Sequence, residues 1–198
     1  IFPWLKLFDT DKEIQGTNHN AQYILFAGRI SQYKGIDYLL PAIEKIHPQY
    51  PDIKLIIAGG GEFHFNITKW EKLPYIEFRN RFIPDKELIN LIKGALFIVC
   101  PYTDATQSGV VMSAFTFNKP VLATNVGGLP EMIDSGRHGL IVKEKDTDSL
   151  ANGISELLQD SYILRQFSSN IENDYSIGDK SWDKITSQII DFYKEIIK

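Results

Sequence analysis

The octapeptide GRISQYKG, residues 28–35, separates the apolar run YILFA (Tyr23–Ala27) from IDYLLPAIEKI (Ile36–Ile46), whose apolar residues recur at helical spacing. A buried strand, a glycine-bounded turn and an amphipathic helix in that order form the first half of a parallel β-α-β unit. The turn holds two cations, Arg29 and Lys34, in a chain whose net charge is −4. Geometry alone asks such a turn for glycine and not for charge, so an anion is the first ligand to consider.

The same alternation continues outward from this unit. Short apolar runs at 53–58, 75–78, 96–100, 120–124 and 140–142 are separated by stretches of helical period. Ile36, Leu39, Leu40, Ile43 and Ile46 form one stripe, Leu88, Leu91 and Ile92 a second, and Val111, Ala114 and Phe115 a third. Short, mostly apolar runs suit strands buried on both faces. The expected architecture is α/β, a Rossmann-like doubly wound parallel sheet of about six strands. After Val142 no strand pattern recurs, and a helical tail runs from DTDSLANGISELLQD (146–160) to SWDKITSQIIDFYKEIIK (181–198). The start differs in kind. IFPWLKLF (1–8) is apolar and aromatic, and a polar tether follows it. Residues 1–20 therefore read as a linker once packed on a further domain, 21–178 as the globular domain, and 179–198 as a terminal helix.

Composition excludes several classes. With 198 residues, 43% of them hydrophobic, the chain can bury a core. Its longest apolar runs, LFIVC and LIIAG, are far too short to cross a bilayer, and no secretory leader pattern is present. The single cysteine, Cys100, has no partner for an internal disulfide, and His19, His47, His64 and His138 show no ligand spacing. A cytoplasmic protein is expected. A sequence pI near 5.6 gives no broad positive field for nucleic acid or an anionic membrane.

In an open α/β sheet, ligands gather at the carboxyl ends of the strands, which directs attention to five loops. Gly28, Arg29 and Lys34 follow the first strand; Gly59, Gly60 and Gly61 the second; Asn80 and Arg81 the third; PYTDATQSG (101–109) the fourth; NVGGLPE (125–131) the fifth. Glycines allow close backbone approach, Arg29 and Lys34 bring formal charge, and the amides of Ser108, Gly109 and Val110 would face an anion from a helix start. The combination reads as a diphosphate site. Neither a P-loop nor a G-x-G-x-x-G turn occurs, which argues against NTP hydrolysis and NAD chemistry. Two D-x-D patterns, Asp9/Asp11 and Asp146/Asp148, are read as tether and helix cap respectively, so no metal is expected.

GRISQYKGIDYLL, IKLIIAGGGEF and ATQSGVVMSAFTFNKPVLATNVGGLPEMIDSGRHGLIV together resemble the C-terminal, donor-binding half of retaining glycosyltransferases of the GT-B fold, group 1 (family 4). Over most of the chain the resemblance implies a nucleotide-sugar-binding domain. It implies Arg29 and Lys34 on the donor diphosphate. Gly28, Gly60, Asn80, Arg81, Asp104, Thr106, Gln107, Ser108, Gly109, Val110 and Ser113 would contact the donor. It further implies an N-terminal partner domain, a saccharide or lipid-linked acceptor, peripheral membrane association through that partner, and no cofactor. The pattern departs from the family at one place. Two glutamates eight positions apart usually flank this helix start, and registering on Lys119, Pro120 and Val121 puts Ala105 and Ser113 at those positions. Asp104 is one residue early, and Ser113 offers a weaker acceptor than a carboxylate. A non-catalytic nucleotide-binding module is the alternative this departure keeps open. Glu131 and Cys100 are read as structural.

Overall fold

The computed structural model describes residues 23–178 and 180–196. The apolar start at 1–8 and the Asp9/Asp11 pattern lie outside the described residues.

Six strands, β1 (Tyr23–Ala27), β2 (Lys54–Ala58), β3 (Ile76–Arg79), β4 (Ile98–Cys100), β5 (Val121–Thr124) and β6 (Gly139–Val142), form one parallel sheet in the order β3-β2-β1-β4-β5-β6. This doubly wound order reverses direction between β1 and β4. Helices α1 (Ile36–Ile46), α2 (Asp85–Gly94), α3 (Gly109–Thr116), α4 (Leu129–Met132), α5 (Thr147–Gln159), α6 (Ser161–Ile171) and α7 (Trp182–Ile196) connect and follow the strands. The core runs the width of the sheet, from Leu55 and Ile57 through Leu25 and Phe26 to Leu122.

Strand limits differ from the sequence reading by one or two residues, each for a local reason. β5 begins after Pro120, which has no N–H to give, although its carbonyl accepts from Ile98. β3 runs one residue later than its apolar stretch because Ala58 pairs with Arg79, whose head is held by Glu77 and Glu87. Tyr75, read as a strand residue, precedes β3 and stacks on His47 with ring centroids 3.5 Å apart. β4 is shorter than 96–100, although Leu96 still donates to the Tyr23 carbonyl. β2 starts at Lys54, opposite Tyr23, and β6 takes in Gly139, opposite Val121.

The helical tail is present and has two parts. α5 packs on α1, tied by Lys45 to Asp148 at 2.8 Å and by the Tyr50 hydroxyl to the Ser155 carbonyl. Asp146 caps α5, accepting from the amides of Asp148 and Ser149, so the second D-x-D pattern is a helix start. A π-helical turn, Glu172–Ile177, is pinned to the body. Arg137 makes a two-pronged ion pair with Asp174, and the buried His138 ring meets the same carboxylate at 2.7 Å. Beyond it α7 leaves Ile189, Ile190, Phe192, Tyr193 and Ile196 exposed.

Candidate functional site

The point where strand order reverses is where the loops after β1 and β4 diverge, and a cleft of about 370 Å³ opens there. Gly28, Arg29, Tyr33 and Lys34 line it from the β1 loop, Gln107, Ser108, Gly109, Val110 and Ser113 from α3 and its approach, and Asp85 and Leu88 from α2.

The two walls are fastened to each other by backbone. Residues Gln32–Lys34 make one 3-10 turn that ends at Gly35 in the left-handed region, with φ +66°. A Cβ at Gly35 would collide with the Pro101 carbonyl, so glycine is required both by the turn and by the neighbouring loop. Thr103 donates its amide to the Tyr33 carbonyl at 2.8 Å, completing the contact between the β1 and β4 loops. The β4 loop is backed by the NVGG turn: Gly127, at φ +49°, sits where any Cβ would overlap the Ala105 carbonyl, and Gly128 donates to the Thr106 carbonyl.

Charge in this cleft is unevenly compensated. Lys34 is only 9% exposed and, among the described residues, no carboxylate pairs with it. Its ammonium lies over the Tyr102 ring, 3.5 Å from the centroid, and 5.0 Å from that of Tyr33. Burial lowers its pKa, so the cation is held dry with only ring faces to meet its charge. Arg29 is exposed on the same wall and, among the described residues, makes no ion pair. Opposite, Ser108 caps α3 by accepting from the Val111 amide at 3.4 Å, which leaves the first free N–H groups of α3 directed at the cleft end. Two cations and a helix start converge on one cleft, an arrangement suited to an anion.

Of the residues singled out in the sequence, Gly28, Arg29, Lys34, Gln107, Ser108, Gly109, Val110 and Ser113 are brought together in the cleft. Gly60, Asn80, Arg81, Asp104 and Thr106 do not line it. Gly60 accepts from the Ile30 amide, and Asn80 accepts from that of Gly61. Arg81 forks onto Glu87, with contacts of 2.6 and 2.9 Å, and its charge is already met. Asp104 is exposed in the β4 loop, and Thr106 holds the NVGG turn. Ser113 donates to the Gly109 carbonyl at 2.8 Å, so its proton is spent inside the helix while its lone pairs remain available. Glu131 stands exposed in the first turn of α4. Cys100 is fully buried, its thiol pushed up to about 11 by that burial, which makes it unreactive.

Sequence reading missed Tyr33, Tyr102, Asp85 and Leu88. Tyr33 stands between the two cations in the β1 loop, and Tyr102 lies in the β4 loop, so both fall within segments that carry other candidate residues. Leu88 belongs to an apolar helical stripe in the sequence; it is half-buried, while Leu91 and Ile92 of that stripe are buried.

The profile of the family described as glycosyl transferases group 1 matches residues 8–174. The chain belongs to this family. It is 30% identical over 190 residues to an uncharacterized glycosyltransferase of Methanocaldococcus jannaschii, MJ1607, a match covering 90% of this chain and 46% of that protein. Among solved structures, Anabaena HepE in complex with UDP and glucose superposes with a TM-score of 0.71 at 23% identity, over 89% of this chain and 49% of that one. The C-terminal domain of a group 1 glycosyl transferase, LpcC, from Francisella tularensis gives 0.68 at 19% identity, over 85% of this chain and 86% of that domain. These two likenesses establish the GT-B-type fold of the domain. The chain spans about half the length of the curated relatives it matches. No described helix is long and apolar enough to cross a membrane.

Proposed function

We propose that this group 1 glycosyltransferase domain binds a nucleotide diphosphate sugar and is the donor-binding half of a retaining hexosyltransferase acting on a saccharide or lipid-linked acceptor, in bacterial polysaccharide synthesis. The observation that carries the reading is the dry ammonium of Lys34, which no carboxylate among the described residues pairs, in one cleft with the start of α3 and Arg29. A diphosphate placed there would meet opposite charge on one side and backbone donors on the other. Breaking the bond between sugar and phosphate leaves charge on the departing diphosphate. Groups that hold this charge better in the transition state than in the ground state accelerate the step. Two cations can do so without a metal, and none is required by the proposal.

Asp85, which lines the same cleft from α2, suits the nucleoside part of such a ligand. A carboxylate repels phosphate, but it accepts well from ribose hydroxyls or base N–H groups. The acceptor side belongs, on this reading, to a partner domain that also covers the exposed apolar face of α7. The direct test is calorimetric titration with UDP, GDP and their sugars in the presence of EDTA. Metal-independent binding of one base is expected, and absence of binding by all of them overturns the reading. A non-catalytic nucleotide-binding module remains the second reading, favoured by the side chains at Ala105 and Ser113, and it is separated by turnover rather than by binding.

A further inference from the structure

Tyr102 takes no place in the cleft lining, yet it touches both halves of the anion site. Its side chain is wholly buried in the loop after β4. One ring face carries the Lys34 ammonium at 3.5 Å from the centroid, and its hydroxyl is hydrogen-bonded to the Ser108 hydroxyl at 3.3 Å. Ser108 in turn caps α3 through the Val111 amide. The Tyr102 carbonyl accepts from Thr124 of β5, which fixes the backbone of this residue to the sheet. Tyr33 closes the cage, edge-on to Tyr102 with centroids 6.4 Å apart, and its own carbonyl is held by Thr103.

We propose that Tyr102 is a positioning residue for the anion site: its ring holds the Lys34 ammonium at the cleft, and its hydroxyl holds the cap that presents the start of α3. The proposal rests on the diphosphate reading above and adds a residue that does not itself touch the ligand. A buried lysine without a carboxylate would ordinarily lose its proton or turn towards solvent. The ring quadrupole offers an attraction that favours the charged form without neutralising it. A carboxylate in the same place would compete with the incoming anion, and a ring does not. The ring and the hydroxyl thus serve different partners, and they can be removed separately.

The charged or titratable groups sharing this part of the site are Arg29 and Tyr33 from the β1 loop, Cys100 and Tyr102 from β4 and its loop, and Asp85 from α2. α3 contributes none to the lining. The experiment compares wild type with Tyr102→Phe, Tyr102→Leu and Tyr33→Leu, the last at a position 45% exposed and the least disruptive to folding. The first measurement needs no ligand. With lysine labelled at Cε, the Lys34 side-chain signals should lie displaced by ring current in wild type and Tyr102→Phe. In Tyr102→Leu the displacement should be lost, and Lys34 should titrate at lower pH. Tyr33→Leu should give a smaller change in the same direction, because that ring is farther away.

The second measurement is the affinity for inorganic pyrophosphate, UDP and GDP from pH 7 to 10. Loss of the ring should weaken binding about 3- to 30-fold and shift the alkaline fall-off downwards. Tyr102→Phe should lose about 2- to 5-fold at every pH with the fall-off unmoved, since the ring stays over Lys34 and only the hydroxyl's bonds to Ser108 and the Cys100 thiol are gone. A merely structural role would lower thermal stability and leave both the Lys34 signals and the pH profile in place, and that result overturns the proposal. If wild type binds none of the three probes, the diphosphate reading itself fails. If it binds them and the variants' profiles superimpose on it, only the role of Tyr102 fails.

Discussion

Nε2 of His138 lies 2.7 Å from Oδ2 of Asp174, a carboxylate that Arg137 grips from the other side at 2.7 and 2.8 Å. The Asp134 amide donates to Nδ1 of the same ring, which leaves Nε2 to donate a hydrogen bond to the Asp174 carboxylate. Phe115, near the end of α3, packs against both His138 and Tyr175. The clamp therefore ties the π-helical turn to the helix whose other end caps the cleft.

This clamp predicts a pH dependence of stability. The Arg137 guanidinium, with help from His138, holds the Asp174 carboxyl well below the usual carboxylate range. A depressed acid stabilises the fold above its unfolded pKa, and the contribution disappears as pH falls through the folded one. Asp174→Asn should cost roughly 1 to 2 kcal/mol at pH 7, allowing for partial exposure. The gap to wild type should persist down to about pH 4 and close only below it. Urea unfolding at pH 7, 4 and 3 measures this; a gap unchanged at the lowest pH would show that the carboxylate charge is not the source.

Lys34 and Arg29 should contribute unequally. Removing either cation that bonds a diphosphate should cost roughly 1.5 to 3 kcal/mol of binding, or about 10- to 150-fold. Lys34 is dry and Arg29 is in water, so Lys34→Ala belongs at the upper end and Arg29→Ala at the lower, with the Arg29 effect shrinking as salt is raised. Calorimetry at two ionic strengths decides. Equal and salt-insensitive losses would contradict the burial argument.

Ser113 and Asp85 should affect the nucleoside and leave the phosphates alone. The Ser113 hydroxyl already donates to Gly109, so it can only accept from a ribose hydroxyl. Ser113→Ala should narrow the preference for a ribonucleoside over a deoxyribonucleoside diphosphate by about 2- to 5-fold. Asp85→Asn should weaken UDP or GDP binding while leaving inorganic pyrophosphate unchanged. A parallel loss for pyrophosphate would place Asp85 in the folding of the cleft wall rather than in recognition.

The layered sheet was legible because its strands are mostly apolar and are bounded in places by glycine or proline, as where Gly28 follows Ala27 and Pro120 precedes Val121. The cations of the first loop were legible too, since Arg29 and Lys34 stand out against an acidic composition. Pairing was not. Arg81 reads as a rim cation until α2 brings Glu87 onto it, and Lys34 reads as a solvated one until Tyr102, distant in sequence, closes over it. Whether a charge is free depends on what packs beside it, and local pattern carries no record of that. Asp85 escaped notice for the same reason, because its position at the start of α2 already accounts for an acid there.

Binding and turnover should separate in these 198 residues. The cleft has cations, a helix start and an acid, but its described lining contains no group placed to hold an acceptor against the donor. The curated relatives matched are about twice as long as the match itself, which covers 46% of the Methanocaldococcus protein. Alignment of two substrates supplies much of an enzyme's rate advantage, so a domain that holds only one should lose orders of magnitude in transfer while keeping its affinity. The chain should therefore bind its preferred nucleotide sugar with ordinary affinity and release nucleotide diphosphate slowly, with no acceleration by saccharide or lipid-linked acceptors. Following both glycoside product and released UDP or GDP distinguishes this from a second possibility, hydrolysis without transfer. Acceptor-dependent transfer at ordinary enzyme rates would place the acceptor site on this domain, with the open rim around Tyr33, His64 and Lys145 as the region to examine first.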